Sequence, residues 1–315
     1  MKNIAFLTFL VIILFSYISI KPLFCEEPPE RNYNFSFGLS SGFVYGQSIE
    51  LVYPVDTPSK YLSELLWDMK PVYYLGLQVN FDRYNLINDL GLFASLTFNI
   101  GFPSVSGIME DRDWMNTHNE ALTHYSRHTN KTREFFWLDA AFGFSIPVKN
   151  YFNLKPLINV SWMRFAFTGR DGYGEYDYPG WSPNVSYEGM EVIRYEQDWL
   201  ILAAGLSIET KKLFPFSFEF SFKISPLIYC AATDVHLPSV IFKDYMGFGL
   251  FTEPQARFSI AVKNIDFSLE FSYRYIGGTK GITYMDKGYG YVLAANNSGA
   301  DLSVINARFI VRFII

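Results

Sequence analysis

The residue types that could do chemistry fall in two short stretches, Met109-Glu110-Asp111-Arg112-Asp113-Trp114-Met115 and Asp234-Val235-His236. In extended backbone successive side chains alternate between faces, so the i, i+2 spacing puts Asp111 with Asp113, and Asp234 with His236, on one face of a strand. Two such pairs facing each other across a groove suit acid/base work on one bound water. Asp234 can orient the His236 imidazole and stabilise its protonated form, leaving the other ring nitrogen to take a proton from water. Two neighbouring carboxylates cannot both ionise easily, so one of Asp111 and Asp113 would keep a proton and bind that water or a substrate carbonyl. Taken alone, an Asp-x-Asp or an Asp-x-His is more often solvated surface than a site. The same residues could bind a divalent metal, but no His-Glu-x-x-His or EF-hand spacing is present, which makes metal the lesser reading.

Export and a membrane scaffold are legible around them. The chain of 315 residues opens with Met1-Lys2-Asn3 and an apolar run from Ile4 to Ile20. This predicts a signal peptide over residues 1–25, cut just after Cys25, and a single domain over residues 26–315. Cys25 also hints at a lipoprotein anchor, against which stands the lack of small residues in Pro22-Leu23-Phe24. With Cys25 removed, Cys230 is the one cysteine left, so no intramolecular disulfide is expected, and nothing around it suggests an activated thiolate. A formal net charge of −5 recommends no nucleic-acid partner. Aromatic residues make up 19% of the chain, yet no later segment approaches the ~20 apolar residues of a transmembrane helix. That combination points to a transmembrane β-barrel of the bacterial outer membrane.

From Tyr33 onward, long alternating segments are divided by short breaks near Asp82-Arg83, Lys149-Asn150, Lys211-Lys212 and Lys263-Asn264. Long loops lie near 54–60, 106–132, 173–190, 235–247 and 283–299. The alternation of short turns and long loops predicts an all-β, ten-stranded antiparallel up-and-down barrel with both chain ends on the short-turn side. Phe214 to Ile224 shows the period of two plainly, with aromatics on the face that would meet lipid. Several segments near twenty residues exceed the ~9–11 that cross the hydrocarbon, so the strands should project beyond the membrane on the long-loop side. Asn306 to Ile315 is the expected closing strand. A soluble β-sandwich would explain the alternation, but less well the strand length and loop asymmetry. Ten strands enclose a lumen filled by side chains, which disfavours a passive porin. On this topology Asp111, Asp113, Asp234, His236 and Glu50 all reach the long-loop rim.

The local sequences resemble the omptin family of outer-membrane proteases. The resemblance is carried by Met109 to Met115, by Ser126-Arg127-His128, by Leu66-Trp67-Asp68 and by Arg164-Phe165-Ala166-Phe167-Thr168, and extends weakly over the whole mature chain. It implies an outward-facing endopeptidase in which Asp111 and Asp113 are the catalytic aspartate pair and Asp234 and His236 the dyad. Water would be activated between the pairs, with no acyl-enzyme, no metal and no cofactor. Ser126 and His128 match residues near the family's site and take supporting roles at most.

Family members usually cut after Arg or Lys, and Glu50 in Ser48-Ile49-Glu50-Leu51-Val52-Tyr53 resembles the family's pocket glutamate; a buried carboxylate suits bidentate Arg recognition. The chain departs from the pattern at Ala232, where many members carry a second pocket acid, and at Thr123-His124-Tyr125, where an acid is expected before Ser-Arg-His. These departures bear on substrate preference more than on peptidase activity. Omptins also hold lipopolysaccharide phosphates on the barrel exterior. Arg164 could match one such contact, but Asp198 stands where another would align, so dependence on lipopolysaccharide as an activator is expected to be reduced or absent. The expected partners are basic peptide or protein substrates and outer-membrane lipid, with the protein a monomer. The competing reading is a catalytically silent adhesin or surface-binding barrel on the same scaffold.

Overall fold

The computed structural model describes residues 33–315 except 55–59, 88–89, 117–119, 150, 178–183, 211–214 and 239; the expected signal peptide lies outside the described residues. Alternation decides the first strand, β1 (Tyr33–Val52). Tyr33, Phe35, Leu39, Phe43 and Tyr45 are exposed on one face, while Ser36, Ser40, Val44, Ser48 and Glu50 are buried on the other. The same inward and outward division recurs through β2 (Ser63–Ile87), β3 (Leu90–Gly101), β4 (Ser104–Asp113), β5 (His124–Val148), β6 (Phe152–Tyr176), the short β7 (Asn184–Ser186) and β8 (Glu191–Thr210). It continues through β9 (Phe216–Ser225), β10 (Ile228–His236), β11 (Val240–Gly247), β12 (Leu250–Val262), β13 (Ile265–Gly277), β14 (Lys280–Asp286) and β15 (Val292–Ile314).

All strand pairs are antiparallel and they close into a barrel, because β1 pairs with both β2 and β15. Two circuits are stacked along the axis. The one nearer the chain ends runs β1, β2, β3, β5, β6, β8, β9, β12, β13, β15 and back to β1. The other replaces β3 by β4, β9 by β10, β12 by β11 and β13 by β14. Among the described residues the strands of each circuit are paired on both sides, which is the condition for a sheet in hydrocarbon, and β7 pairs with β6 alone. The strand count differs from the expected ten: fifteen strands are present among the described residues, because two-residue breaks at 102–103, 226–227, 248–249 and 278–279 interrupt the ladder and β7 adds a short piece.

The strands also run further than the sequence suggested. Asp82 and Arg83 lie inside β2, which runs on to Ile87, and are paired with Phe93 and Leu92; a lumen-facing acid beside an outward Arg reads like a turn in one dimension. Most of 106–132 is strand as well, since β4 reaches Asp113 and β5 starts at His124. Within the expected loop at 235–247, β10 runs to His236 and β11 begins at Val240, and within that at 283–299, β14 runs to Asp286 and β15 begins at Val292. Beyond the membrane the inner strand faces carry carboxylates and hydroxyls, so their alternation is not one of hydrophobicity.

Three layers fill the interior. Nearest the chain ends is a polar cavity of about 410 Å³, whose lining includes Asn80, Lys223, Glu253, Arg257, Glu270 and Arg308. Most of its charges are paired, with Lys223 to Glu253, Arg257 to Glu270 and Arg308 to Glu270 each at 2.6 Å, as buried ions require. Above it lies an apolar plug in which Trp67 stacks between Phe167 and Tyr195, centroids 5.6 Å apart on each side. Here Ser48 on β1 donates a short hydrogen bond to Gln197 on β8, a contact across the lumen. Gln197 also donates to Tyr195 and accepts from Trp199. The third layer, at the far rim, holds the acids.

Candidate active site

Strand register brings the acids together. Glu50, Leu65, Asp111 and Ser126 form one row over β1, β2, β4 and β5, each the cross-strand partner of the next. Asp113 is opposite Ser63 and His124. Across the barrel, Asp234 is opposite Tyr195 and Phe242, and His236 is opposite Ile193 and Val240. A β-bulge between Val105 and Gly107 sets the phase of β4 ahead of Asp111, a usual device for aiming side chains beside a site. Gly107 has φ +113°, and a Cβ there would lie 2.6 Å from Asp68 Cβ. No other residue fits without strain. Asp68 Oδ2 accepts from the Ile108 N–H at 3.1 Å and pins the turn.

The dyad is formed. His236 Nε2 donates to Asp234 Oδ2 at 2.5 Å. The imidazole side chain is 38% exposed and the carboxylate 3%, so the ring faces the opening with the acid behind it. Phe242 packs edge-on against the ring at 5.4 Å. This fixes the tautomer in which Nδ1 is left for a substrate or water. On the facing wall Asp111 Oδ1 is buried without a hydrogen-bond partner among the described residues, as are Asp234 Oδ1 and Glu50 Oε2.

The electrostatics follow from crowding. Burial, then the Asp113 charge, raises the Asp111 carboxyl well above the usual range, with His236 pulling the other way. Asp113 is raised by burial against the Ser63 hydrogen bond and the His124 and His236 rings. Glu50 is raised by burial and then by Asp234, Asp244, Asp111 and Asp113. His236 behaves oppositely: burial disfavours its charge, but Asp234, its hydrogen bond and the Asp111 and Asp113 carboxylates lift it to about 9. The surroundings therefore favour the imidazolium form of His236 and the protonated form of Asp111, Asp113 and Glu50. Such an arrangement can hold a water between an acid pair and an imidazole and move a proton in either direction. Among the described residues no His, Cys, Asp and Glu group has the geometry to hold a metal ion.

The structure gathers all five expected residues on one rim and leaves Ser126 and His128 beside it. His128 is spent on packing: Nε2 meets Ser126 Oγ at 2.9 Å and Nδ1 the Asp171 carbonyl at 2.5 Å. Asp244 was not anticipated. It is 3% exposed and accepts from Thr283 Oγ1 at 2.6 Å. Burial and then the Asp234 charge raise it to about 7, against the Thr283 bond. The signal that could have found it is the tight turn around Pro238, which folds β11 back so that Asp244 meets Ala232.

Comparison with known proteins follows the same outline. A family model described as the Omptin family matches residues 31–311. The plasminogen activator of Yersinia pestis is 26% identical over 290 residues, covering 86% of this chain and 85% of its own. The outer membrane protease OmpT from Escherichia coli superposes with a TM-score of 0.79 at 17% identity, covering 90% of this chain and 97% of its own.

Proposed function

From the premise that this chain belongs to the omptin family of outer-membrane proteases, we propose that it is an endopeptidase working by water activated between Asp111/Asp113 and the Asp234–His236 dyad. The observation that carries the proposal is the 2.5 Å His236–Asp234 hydrogen bond facing an acid pair whose charges it feels across the barrel. In the reaction, water attacks the scissile carbonyl carbon and gives its proton to neutral His236 Nδ1. The carboxyl that keeps a proton in the Asp pair donates a hydrogen bond to the oxygen gaining negative charge. Collapse of the tetrahedral intermediate breaks the C–N bond, and His236 returns the proton to the leaving amine. No metal and no covalent intermediate is needed.

Glu50 receives an Arg or Lys side chain before the scissile bond, since its buried Oε2 lacks the donors that a guanidinium or ammonium supplies. The rim faces outward, where long strands lift it from the membrane, and the protein acts as a monomer. Lipopolysaccharide is not required. On the exterior, Arg164 donates to Glu134 at 2.8 Å, Asp198 at 2.6 Å and Glu196 at 2.9 Å, so each of its three nitrogens already meets a carboxylate and a phosphate would meet like charge.

The test is cleavage of a peptide library by the refolded protein in detergent, with and without lipopolysaccharide, beside Asp111→Ala and His236→Ala. Cuts at Arg or Lys that vanish in both variants are expected. No cleavage by a folded barrel under either condition would replace this reading by a surface-binding protein.

A further inference from the structure

Besides Glu50, the acid layer holds a carboxylate that neither catalytic pair uses. Asp244 stands on β11 directly opposite Ala232 on β10, both side chains turned inward and each 3% exposed. Ala232, two residues before Asp234, stands where the omptin resemblance implies a second pocket acid. Directly opposed residues of an antiparallel pair have Cβ atoms about 4.5–5.5 Å apart. A carboxylate at 244 therefore opens on the same part of the lumen as one at 232 would.

The wall joining Asp244 to Glu50 is built from short side chains: Thr283 opposite Asp244, Ser298 on β15 opposite Gly281 and within hydrogen-bond influence of Asp244, and Ala300 opposite Glu50. All three are buried, and none carries a positive charge. Glu50 is itself 6% exposed, and its Oε2 has no hydrogen-bond partner among the described residues. Its carboxyl feels the Asp244 charge. Two buried carboxylates with no cation between them are an expensive arrangement unless a ligand brings one. In the lower lumen Glu219, Glu253 and Glu270 each meet an Arg or Lys, whereas among the described residues no Arg, Lys or His is ion-paired to Glu50 or Asp244.

We propose that Asp244 is a specificity-determining residue of the substrate pocket: from the strand opposite Ala232 it joins Glu50 in binding the guanidinium or ammonium of the residue before the scissile bond. The inference rests on the protease reading, so its test includes a readout that needs no catalysis.

The full refolded chain is compared with Asp244→Asn, which keeps a Thr283 acceptor, and with Asp244→Asn/Ala232→Asp. Each is assayed on paired peptides carrying Arg or its neutral isostere citrulline, and by calorimetric titration with agmatine, a guanidinium without a scissile bond. The ratio of kcat/KM for Arg over citrulline should fall about 10–100-fold in Asp244→Asn, mainly through KM, the size expected for a charged hydrogen bond. Agmatine affinity should fall in parallel, and Ala232→Asp should restore part of both. An unchanged ratio with unchanged agmatine binding would overturn the proposal while the protease reading stands. Agmatine binding that depends on Asp244 in a chain that cuts no peptide would uphold the pocket and remove the protease. Equal loss on both peptides, with agmatine binding intact, would make Asp244 structural and refute it.

Discussion

Replacing Asp234 by Asn isolates what the dyad does for His236. The amide keeps the size of the carboxylate and can still accept from Nε2 through Oδ1, but it removes the charge that lies 2.5 Å from the ring. His236 titrates at about 9 against an ordinary 6.5, with burial opposing the charge and Asp234 the first of the groups that raise it. An opposite charge at such range is worth about 1–3 pKa units, and Asp111 and Asp113 remain to hold part of the shift. At pH 7.5 a ring titrating at 9 is neutral in about one molecule in thirty, whereas one at 6.5 is neutral in about nine in ten. The variant should therefore carry more neutral imidazole at neutral pH and still be slower, because orientation and stabilisation of the imidazolium are lost; about 10²–10⁴-fold in kcat is expected. Two assays decide it: NMR titration of the His236 ring, and the pH profile of kcat/KM. In the wild type kcat/KM should climb with pH toward about 9, and in Asp234→Asn both midpoints should fall together. A His236 midpoint that stays near 9, or a profile that moves without it, would refute the reasoning.

Other consequences follow from the same layers. Glu50 has its folded-state pKa raised by burial and neighbouring acids, so its ionised form is a cost that grows as pH climbs above the ordinary 4.5. Glu50→Gln should therefore raise the unfolding midpoint more at pH 8 than at pH 5, while weakening cleavage at basic residues; equal effects at both pH values would contradict the assignment. Trp67, fully buried between Phe167 and Tyr195, should cost about 3–5 kcal/mol as Trp67→Ala, read as a lowered urea midpoint; a loss below ~1 kcal/mol would show that the plug is not tightly packed. Adding lipopolysaccharide should change kcat/KM by less than about twofold, since Arg164 is ion-paired to three carboxylates, and a tenfold rise would show that those pairs yield to phosphate. Incubation with EDTA should leave cleavage intact, and loss that zinc or calcium restores would bring a metal into the site.

By itself the sequence determined the alternating strands, the apolar outer face, the rim shared by Asp111, Asp113, Asp234, His236 and Glu50, and through its resemblance the family. These are readable because alternation is local: a period of two in Phe216–Ser225 holds whatever the neighbouring strand is. Strand ends were not local in this sense. Asp82-Arg83 looked like a turn and 106–132 like a loop, because residues facing a polar lumen or standing above the membrane lose the hydrophobic contrast that marks a strand. Register was decided only by the tertiary structure. Asp244 becomes part of the acid layer because a short turn aligns it with Ala232, and Ser48 becomes part of the floor because closure brings β1 within hydrogen-bond reach of Gln197, 149 residues away. The pKa values of His236 and Asp244 depend on charges and hydroxyls from four strands, β4, β10, β14 and β15, meeting in a buried space, and no spacing along the chain specifies a meeting that ring closure creates.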